Sequence, residues 1–240
     1  MAYNQFALIY DQFMYDQPYE KWLNVVQPYL KDNVLDIATG TGSFLELIPR
    51  DIQVTGVDLS EDMLTIAQTK RNDATLVAQD MTQLALNKKF QTITCLCDSL
   101  NYLQEPHDVS ATFSRVHQHL EDEGFFIFDV HSTKKFEAYF NNDTYSDEID
   151  DMLYVWHAIQ GDAIYSVFHE LTFFIKTNNV YHRFDEEHYQ RTYPIATYKQ
   201  LLKDSGFEVV RVFADFDSEW IVDDSTEAFF ERVFFIAKKS

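Results

Sequence analysis

The chain has 240 residues, of which 46% are hydrophobic, 24% charged and 16% aromatic; this suits one sizeable α/β domain and excludes a disordered or low-complexity chain. Lys and Arg number 19 against 39 Asp and Glu, a net charge of -20, so nucleic acid is not an expected partner. No apolar run nears the ~20 residues of a membrane span, and Met1-Ala2-Tyr3-Asn4-Gln5-Phe6 carries no secretory pattern, so a cytoplasmic protein without a membrane partner is expected.

Residues 1–30 read as a helical cap, with Phe6, Ile9, Tyr10, Phe13 and Met14 at helical spacing and a break at Pro18. From 33 to 130, short apolar runs alternate with amphipathic stretches. Val34 to Ile37, Gln53 to Val57, Thr75 to Ala78, Gln91 to Leu96 and Phe125 to Val130 read as five strands. A helix follows the first from about Gly42 to Ile48. Another begins after Ser60, an N-cap with Glu61 and Asp62 in the first turn. A third opens at Pro106. Continuous apolar strands alternating with helices predict a parallel sheet covered on both faces. Cys95 and Cys97 fall in the fourth strand as reduced thiols, with no disulfide or metal constellation around them.

The rhythm then changes. Residues 152–193 alternate as three antiparallel strands, with turns at Gln160-Gly161-Asp162 and Asn178-Asn179. A helix over 195–205 and strands at 207–213 and 232–237 close the chain. The reading is therefore one domain. Residues 31–133 and 194–240 form the core, a mostly parallel sheet of seven strands, and 134–193 form an antiparallel lobe inserted after strand 5.

Of only 6 glycines, Gly40, Gly42 and Gly56 fall within seventeen residues. Asp36-Ile37-Ala38-Thr39-Gly40-Thr41-Gly42 is a strand running into a glycine turn and a helix, which lets backbone approach a ligand closely. Asp58 ends the second strand, where a carboxylate can take both hydroxyls of an adenosine ribose. Asp80 ends the third, beside the expected adenine. A dinucleotide enzyme wants a third glycine at position 45, which is Leu, and a pyrophosphate would face Glu46. S-Adenosyl-L-methionine has no phosphate and is partly cationic, which suits an acidic pocket. An NAD(P)-dependent oxidoreductase and a non-catalytic nucleotide-fold binding protein stand as the alternatives.

At these residues the sequence resembles the class I methyltransferases. The turn just quoted looks like their first motif, Gly56-Val57-Asp58-Leu59-Ser60-Glu61-Asp62-Met63-Leu64 their second, Ala78-Gln79-Asp80-Met81 their third and Cys97-Asp98-Ser99-Leu100-Asn101-Tyr102 their fourth. Tyr10-Asp11, Met14, Pro18-Tyr19-Glu20 and Trp22, with Phe128-Asp129-Val130-His131, resemble the bacterial YqeM-type methyltransferases. Two positions depart from the pattern: Ala38 replaces the first glycine, and Asp122-Glu123-Gly124 replaces Pro-Gly-Gly before the fifth strand. The resemblance implies a Rossmann-like fold and methyl transfer from S-adenosyl-L-methionine. It implies that Gly40 contacts the cofactor, Thr39 and Gly42 shape the turn, and Asp36 orders it. Asp58 would hold the ribose, Leu59 and Met63 line the adenosine, and Asp80 and the Met81 N–H meet adenine. Cys97 would lie along the methionine moiety, and Tyr10 would cap the cofactor.

The acceptor is expected to be a small molecule, neutral or cationic, methylated on O or N, because the base-amine motifs of nucleic-acid methyltransferases are absent. His131 follows the fifth strand and is the candidate general base. The lobe is expected over the acceptor side. Its Tyr154, Trp156 and Tyr165, with Tyr193, could wall an aromatic pocket, and the acidic stretches 147–151 and 215–219 could lie near the same edge.

Overall fold

A computed structural model describes residues 13–14 and 17–240. The parallel strands form where expected: β1 (Asn33–Ile37), β2 (Gln53–Asp58), β3 (Thr75–Ala78), β4 (Phe90–Cys95) and β5 (Leu120–His131). They are completed by β10 (Phe207–Ala214), β11 (Asp217–Ile221) and β12 (Arg232–Lys239). The sheet has eight strands in the order β11-β10-β12-β5-β4-β1-β2-β3. The pairs among β1 to β5 are parallel, and β12 enters antiparallel beside β5. The strand beyond the seven expected is β11, a short, mostly exposed edge strand paired with β10. Its polar Asp-Ser-Glu start hides it from apolar pattern reading.

Both faces of the sheet are dry. Val34 and Leu35, or Ile127 and Phe128, are neighbours in sequence and fully buried on opposite faces, which explains the unbroken apolar runs. One face packs α1 (Tyr19–Val26) and α2 (Ser43–Leu47), with α3 (Glu61–Lys70) beside α2. The other packs α4 (Pro106–His119) and α6 (Ile195–Asp204), centred on Phe113, Phe126, Phe128 and Tyr198. The strand order reverses at β1, between β2 and β4, and such a switch point opens a crevice at the carboxyl ends of the strands.

After β5, α5 (Thr133–Ala138) starts on Ser132, whose hydroxyl accepts from the Lys135 N–H. Then comes a separate antiparallel sheet, β6 (Asp143–Ile149), β7 (Met152–Gln160), β8 (Ser166–Thr177) and β9 (Val180–Arg191), in that order. It has four strands where three were expected, because β6 is an acidic, largely exposed edge strand. The Asn178-Asn179 turn forms as expected, both residues at positive φ. The first turn is longer than expected, since β8 begins only at Ser166. Phe13 packs edge-on against Tyr154 and Phe173 of this sheet.

Candidate active site

The floor of the site is laid at the ends of β1, β2 and β3. After Ile37 the chain turns through left-handed conformations at Ala38 (φ +56°), Gly40 (φ +55°) and Gly42 (φ +76°), and the Thr39 N–H donates to the Val57 carbonyl at 3.0 Å. Gly42 is a packing requirement, since a Cβ there would stand 2.8 Å from Ala67 Cβ. A Cβ on Gly40 would meet nothing within 4 Å. Gly40 is open space on the cavity side. Ala38 fits, as its small size predicts, but an L-residue in this region costs about 1–2 kcal/mol.

Asp58 closes the turn. Its Oδ2 accepts from the Gly40 N–H at 2.7 Å and its Oδ1 from the Ser60 N–H at 2.9 Å. Burial pushes this carboxyl above its ordinary value, and the backbone donors pull against that. Leu59 follows, 76% exposed. Ser60 caps α3 as read from sequence, its Oγ accepting from the Met63 N–H at 3.3 Å. At the end of β3, Asp80 Oδ1 accepts from the N–H and Oγ1 of Thr82, both at 2.8 Å, capping the short turn Met81–Gln83.

These residues face one cavity of about 1010 Å³ that joins Gly40, Asp58, Leu59, Met63, Asp80 and Met81. Its far walls come from Ser99 and Tyr102 after β4, from Glu105 and Asp108 at the start of α4, and from Glu186 and His188 on β9. Ser99 and Tyr102 belong to the fourth motif but have no role assigned from sequence, and Glu105, Asp108, Glu186 and His188 are not singled out there. The available signal was the alternation of β9, where Phe184, Glu186, His188 and Gln190 share a face with Phe173, Leu171, His169 and Val167 of β8. Polar residues interrupt an otherwise apolar face there, and their place over the cavity depends on long-range pairing.

The remaining candidates lie elsewhere. Tyr10 falls outside the described residues. Asp36 and Thr39 are buried beneath the turn and do not line the cavity. Asp36 Oδ1 accepts from the Thr94 hydroxyl at 2.6 Å, and burial pushes its pKa to about 6. The Cys97 N–H donates to Asp129 Oδ1 at 2.9 Å, behind the cavity wall. His131 is 7% exposed and likewise does not line it. Its Nε2 stands 3.4 Å from Asp98 Oδ1, and burial drives its pKa well down, more than Asp98 raises it. Tyr154, Trp156, Tyr165, Tyr193 and the two acidic stretches do not line the cavity either. Tyr193 packs on Tyr198 in the core, and Trp156 Nε1 donates to His169 Nδ1 at 2.9 Å.

Between cavity and sheet runs a buried ionic network. Arg232 Nη1 donates to Asp129 Oδ2, and Nη2 donates to Asp98 Oδ1 at 3.0 Å. Trp22 Nε1 donates to Asp129 Oδ1 at 2.9 Å, and the Arg232 guanidinium lies over the Trp22 ring. Gln190 Nε2, from β9, donates to Asp98 Oδ2 at 3.0 Å. Burial works against the Asp98 carboxylate, and the neighbouring His131 and Arg232, with the Gln190 amide, hold it below the usual carboxylate range. Asp98 and Cys97 both take positive φ, a cost that this network offsets.

A mostly parallel sheet between two helical layers, with a glycine turn after β1, an acid at the end of β2 and a second acid just after β3, makes the Rossmann-like fold of an S-adenosylmethionine-dependent methyltransferase. The family model described as "Methyltransferase domain" matches residues 34–124. YqeM of Bacillus subtilis strain 168 is 39% identical over 247 residues, covering 100% of this chain and 98% of that protein, and the chain belongs to the YqeM methyltransferase family. An S-adenosylmethionine-dependent methyltransferase from Clostridium acetobutylicum has a crystal structure that superposes with a TM-score of 0.87 at 31% identity, covering 100% of both chains. A third relative, the dTDP-3-amino-3,4,6-trideoxy-alpha-D-glucopyranose N,N-dimethyltransferase of Streptomyces venezuelae, is 36% identical over 96 residues, 40% of each chain.

Proposed function

We propose that Gly40, Asp58, Leu59, Met63, Asp80 and Met81 hold S-adenosylmethionine in this cavity, and that a small-molecule acceptor enters from the side covered by β9. The observation that carries this reading is the convergence of three strand ends on one cavity, with Gly40 open toward it. The residues fit the group. Asp58 is an acceptor for two ribose hydroxyls, Leu59 and Met81 offer apolar surface to adenine, and one Asp80 oxygen remains for an adenine amino group. Among the described residues no Lys or Arg lines the cavity, so a pyrophosphate would find no cation there, which counts against a dinucleotide.

The bound cofactor supplies an electrophilic methyl carbon on a positively charged sulfur. The protein's part is alignment and exclusion of water, and orientation is worth roughly 7–11 kcal/mol in such reactions. In this reading Asp36, Thr39 and Gly42 order the turn, and Cys97 fixes the loop after β4 through its backbone. His131 acts from behind the wall as a positioning residue on Asp98. In this reading residues 31–133 and 194–240 form the core and 134–193 the lobe over the acceptor. The amino-sugar relative supports a small acceptor, and the net charge supports one that is not a nucleic acid. A cytoplasmic location would keep Cys95 and Cys97 reduced.

Calorimetric titration with S-adenosylhomocysteine tests the reading. A charged hydrogen bond contributes about 1.5–3 kcal/mol, so Asp58→Ala weakens binding roughly tenfold to a hundredfold. No binding by the wild type, or equal binding by the variant, rejects the assignment.

A further inference from the structure

The cavity of about 1010 Å³ stands at the top of the roughly 300–1,000 Å³ range of small-ligand sites. It therefore has room for an acceptor beside the cofactor. The space beyond the cofactor floor is bounded by Tyr102, Glu105 and Asp108 on the core side and by Glu186 and His188 on the roof. Tyr102 and His188 are in edge-to-face contact at one side of it, ring centroids 5.8 Å apart. Tyr102 lines the cavity and is 43% exposed, so part of its side chain is within reach of whatever enters.

The charge of this space is one-sided. Seven of the residues lining the cavity are carboxylates, and none is Lys or Arg. Beyond Gln104 and Glu105 a second hollow of about 530 Å³ continues the trend, with Asp162 and Glu187 in its walls and again no cation. Arg191 is the nearby cation on β9, and it is engaged. Its Nη1 donates to the Gln104 carbonyl at 2.9 Å and lies 3.7 Å from Glu105 Oε2, while its guanidinium covers the Tyr193 ring. His188 adds no charge at neutral pH, since burial pushes its imidazole down. Burial pushes the Glu186 carboxyl up from its ordinary value, a cost that an incoming ammonium group relieves. An aromatic face beside a carboxylate is a recognised arrangement for binding an organic cation.

We infer that the acceptor of this enzyme is an amine that carries no phosphate, bound as its ammonium form beside the Glu186 carboxylate and the Tyr102–His188 contact. The nitrogen passes one proton to a wall carboxylate such as Glu186, and its freed lone pair takes the methyl group as S-adenosylhomocysteine leaves. This rests on the methyltransferase reading and sharpens it. It separates this chain from relatives named for dTDP-linked sugars, because a diphosphate would enter a space whose charged lining residues, among those described, are all carboxylates. Like-charge contact of that kind disfavours a ligand as strongly as complementary contact favours one.

The test is a thermal-shift screen of the whole protein saturated with S-adenosylhomocysteine. The probes are matched triplets, each a primary amine, a carboxylate and a phosphate monoester on one aliphatic or aromatic scaffold, together with thymidine diphosphate. The expected result is stabilisation by amines, none by their matched anions or by the diphosphate, and at least a halving of the amine shifts in Glu186→Gln. S-Adenosylhomocysteine affinity in that variant stays within twofold. Should Glu186→Gln fail to fold, Glu105→Gln carries the same charge test from the cavity mouth. Anions stabilising as often as amines, no enrichment of amines, or amine shifts that survive both variants overturn the inference. Failure of S-adenosylhomocysteine to bind the wild type overturns the underlying reading instead, so the two failures are distinguishable.

Discussion

Asp58 and Glu186 face the same cavity, yet the chain reaches those two positions by different routes. Asp58 is placed by its immediate surroundings: it ends β2, its carboxylate ties Gly40 and Ser60 by backbone donors, and the glycine turn eighteen residues earlier packs against it. Glu186 is placed by a register. It sits opposite Leu171 on β8, and a slip of one residue would turn it away from the cavity and present Glu187 or Asp185 instead. A floor made of strand ends fixes each group locally and suits a ligand that does not change. A roof made of one alternating strand re-aims several groups with a single shift, which suits the part of a site that sets acceptor choice.

The two halves are joined at Asp98, and this is where the comparison is most easily broken. Arg232 donates to both Asp98 and Asp129, and Gln190 of the roof donates to the same Asp98. Arg232→Met leaves two buried carboxylates with no cation. Removing one partner of a buried ion pair costs about 3–5 kcal/mol, and urea denaturation should show a loss of that size. A loss below about 1 kcal/mol would mean that floor and roof do not share this support.

Asp36 sharpens the comparison from beneath the floor. Its pKa is pushed to about 6 by burial, from an ordinary 3.8, so the folded state favours its protonated form. Stability is then highest below the unfolded value and falls as pH rises through about 4 to 6. The ionised form costs up to about 3 kcal/mol above that window. Asp36→Asn should remove this slope and exceed the wild type in stability at pH 8, with little difference at pH 4. Parallel denaturation curves at both pH values would contradict it.

The smallest expected effect concerns Ala38. Its left-handed backbone costs about 1–2 kcal/mol, against the roughly 0.4–1 kcal/mol by which glycine loosens the unfolded chain. Ala38→Gly should therefore stabilise by about 0.5–1 kcal/mol, read as a raised urea midpoint at constant slope. Destabilisation would show that the methyl group of Ala38 packs usefully in the turn.

The sequence made the floor readable because its signals are local. Gly40, Gly42, Asp58 and Asp80 each follow a recognisable strand, and the Ser60 cap, Pro106 start and Asn178-Asn179 turn are set within four residues. What it hid depends on distant partners. β6 and β11 are edge strands whose polar residues face solvent, so hydrophobic periodicity passes over them. Tyr102, Glu186 and His188 join the site only after β9 pairs with β8 and meets the loop after β4. His131 stands at the right strand end, but α5 and the Phe136 and Phe140 rings enclose it, and a strand-end position alone does not reveal that cover.

A crystal structure of the protein with S-adenosylhomocysteine tests the central claim most directly. The account predicts both ribose hydroxyls on the Asp58 carboxylate, adenine against Leu59 and Met81 with its amino group toward Asp80, and space left between Tyr102, Glu186 and His188. A ligand whose ribose contacts Glu186 or Glu105, with Asp58 still occupied only by Gly40 and Ser60, would contradict it.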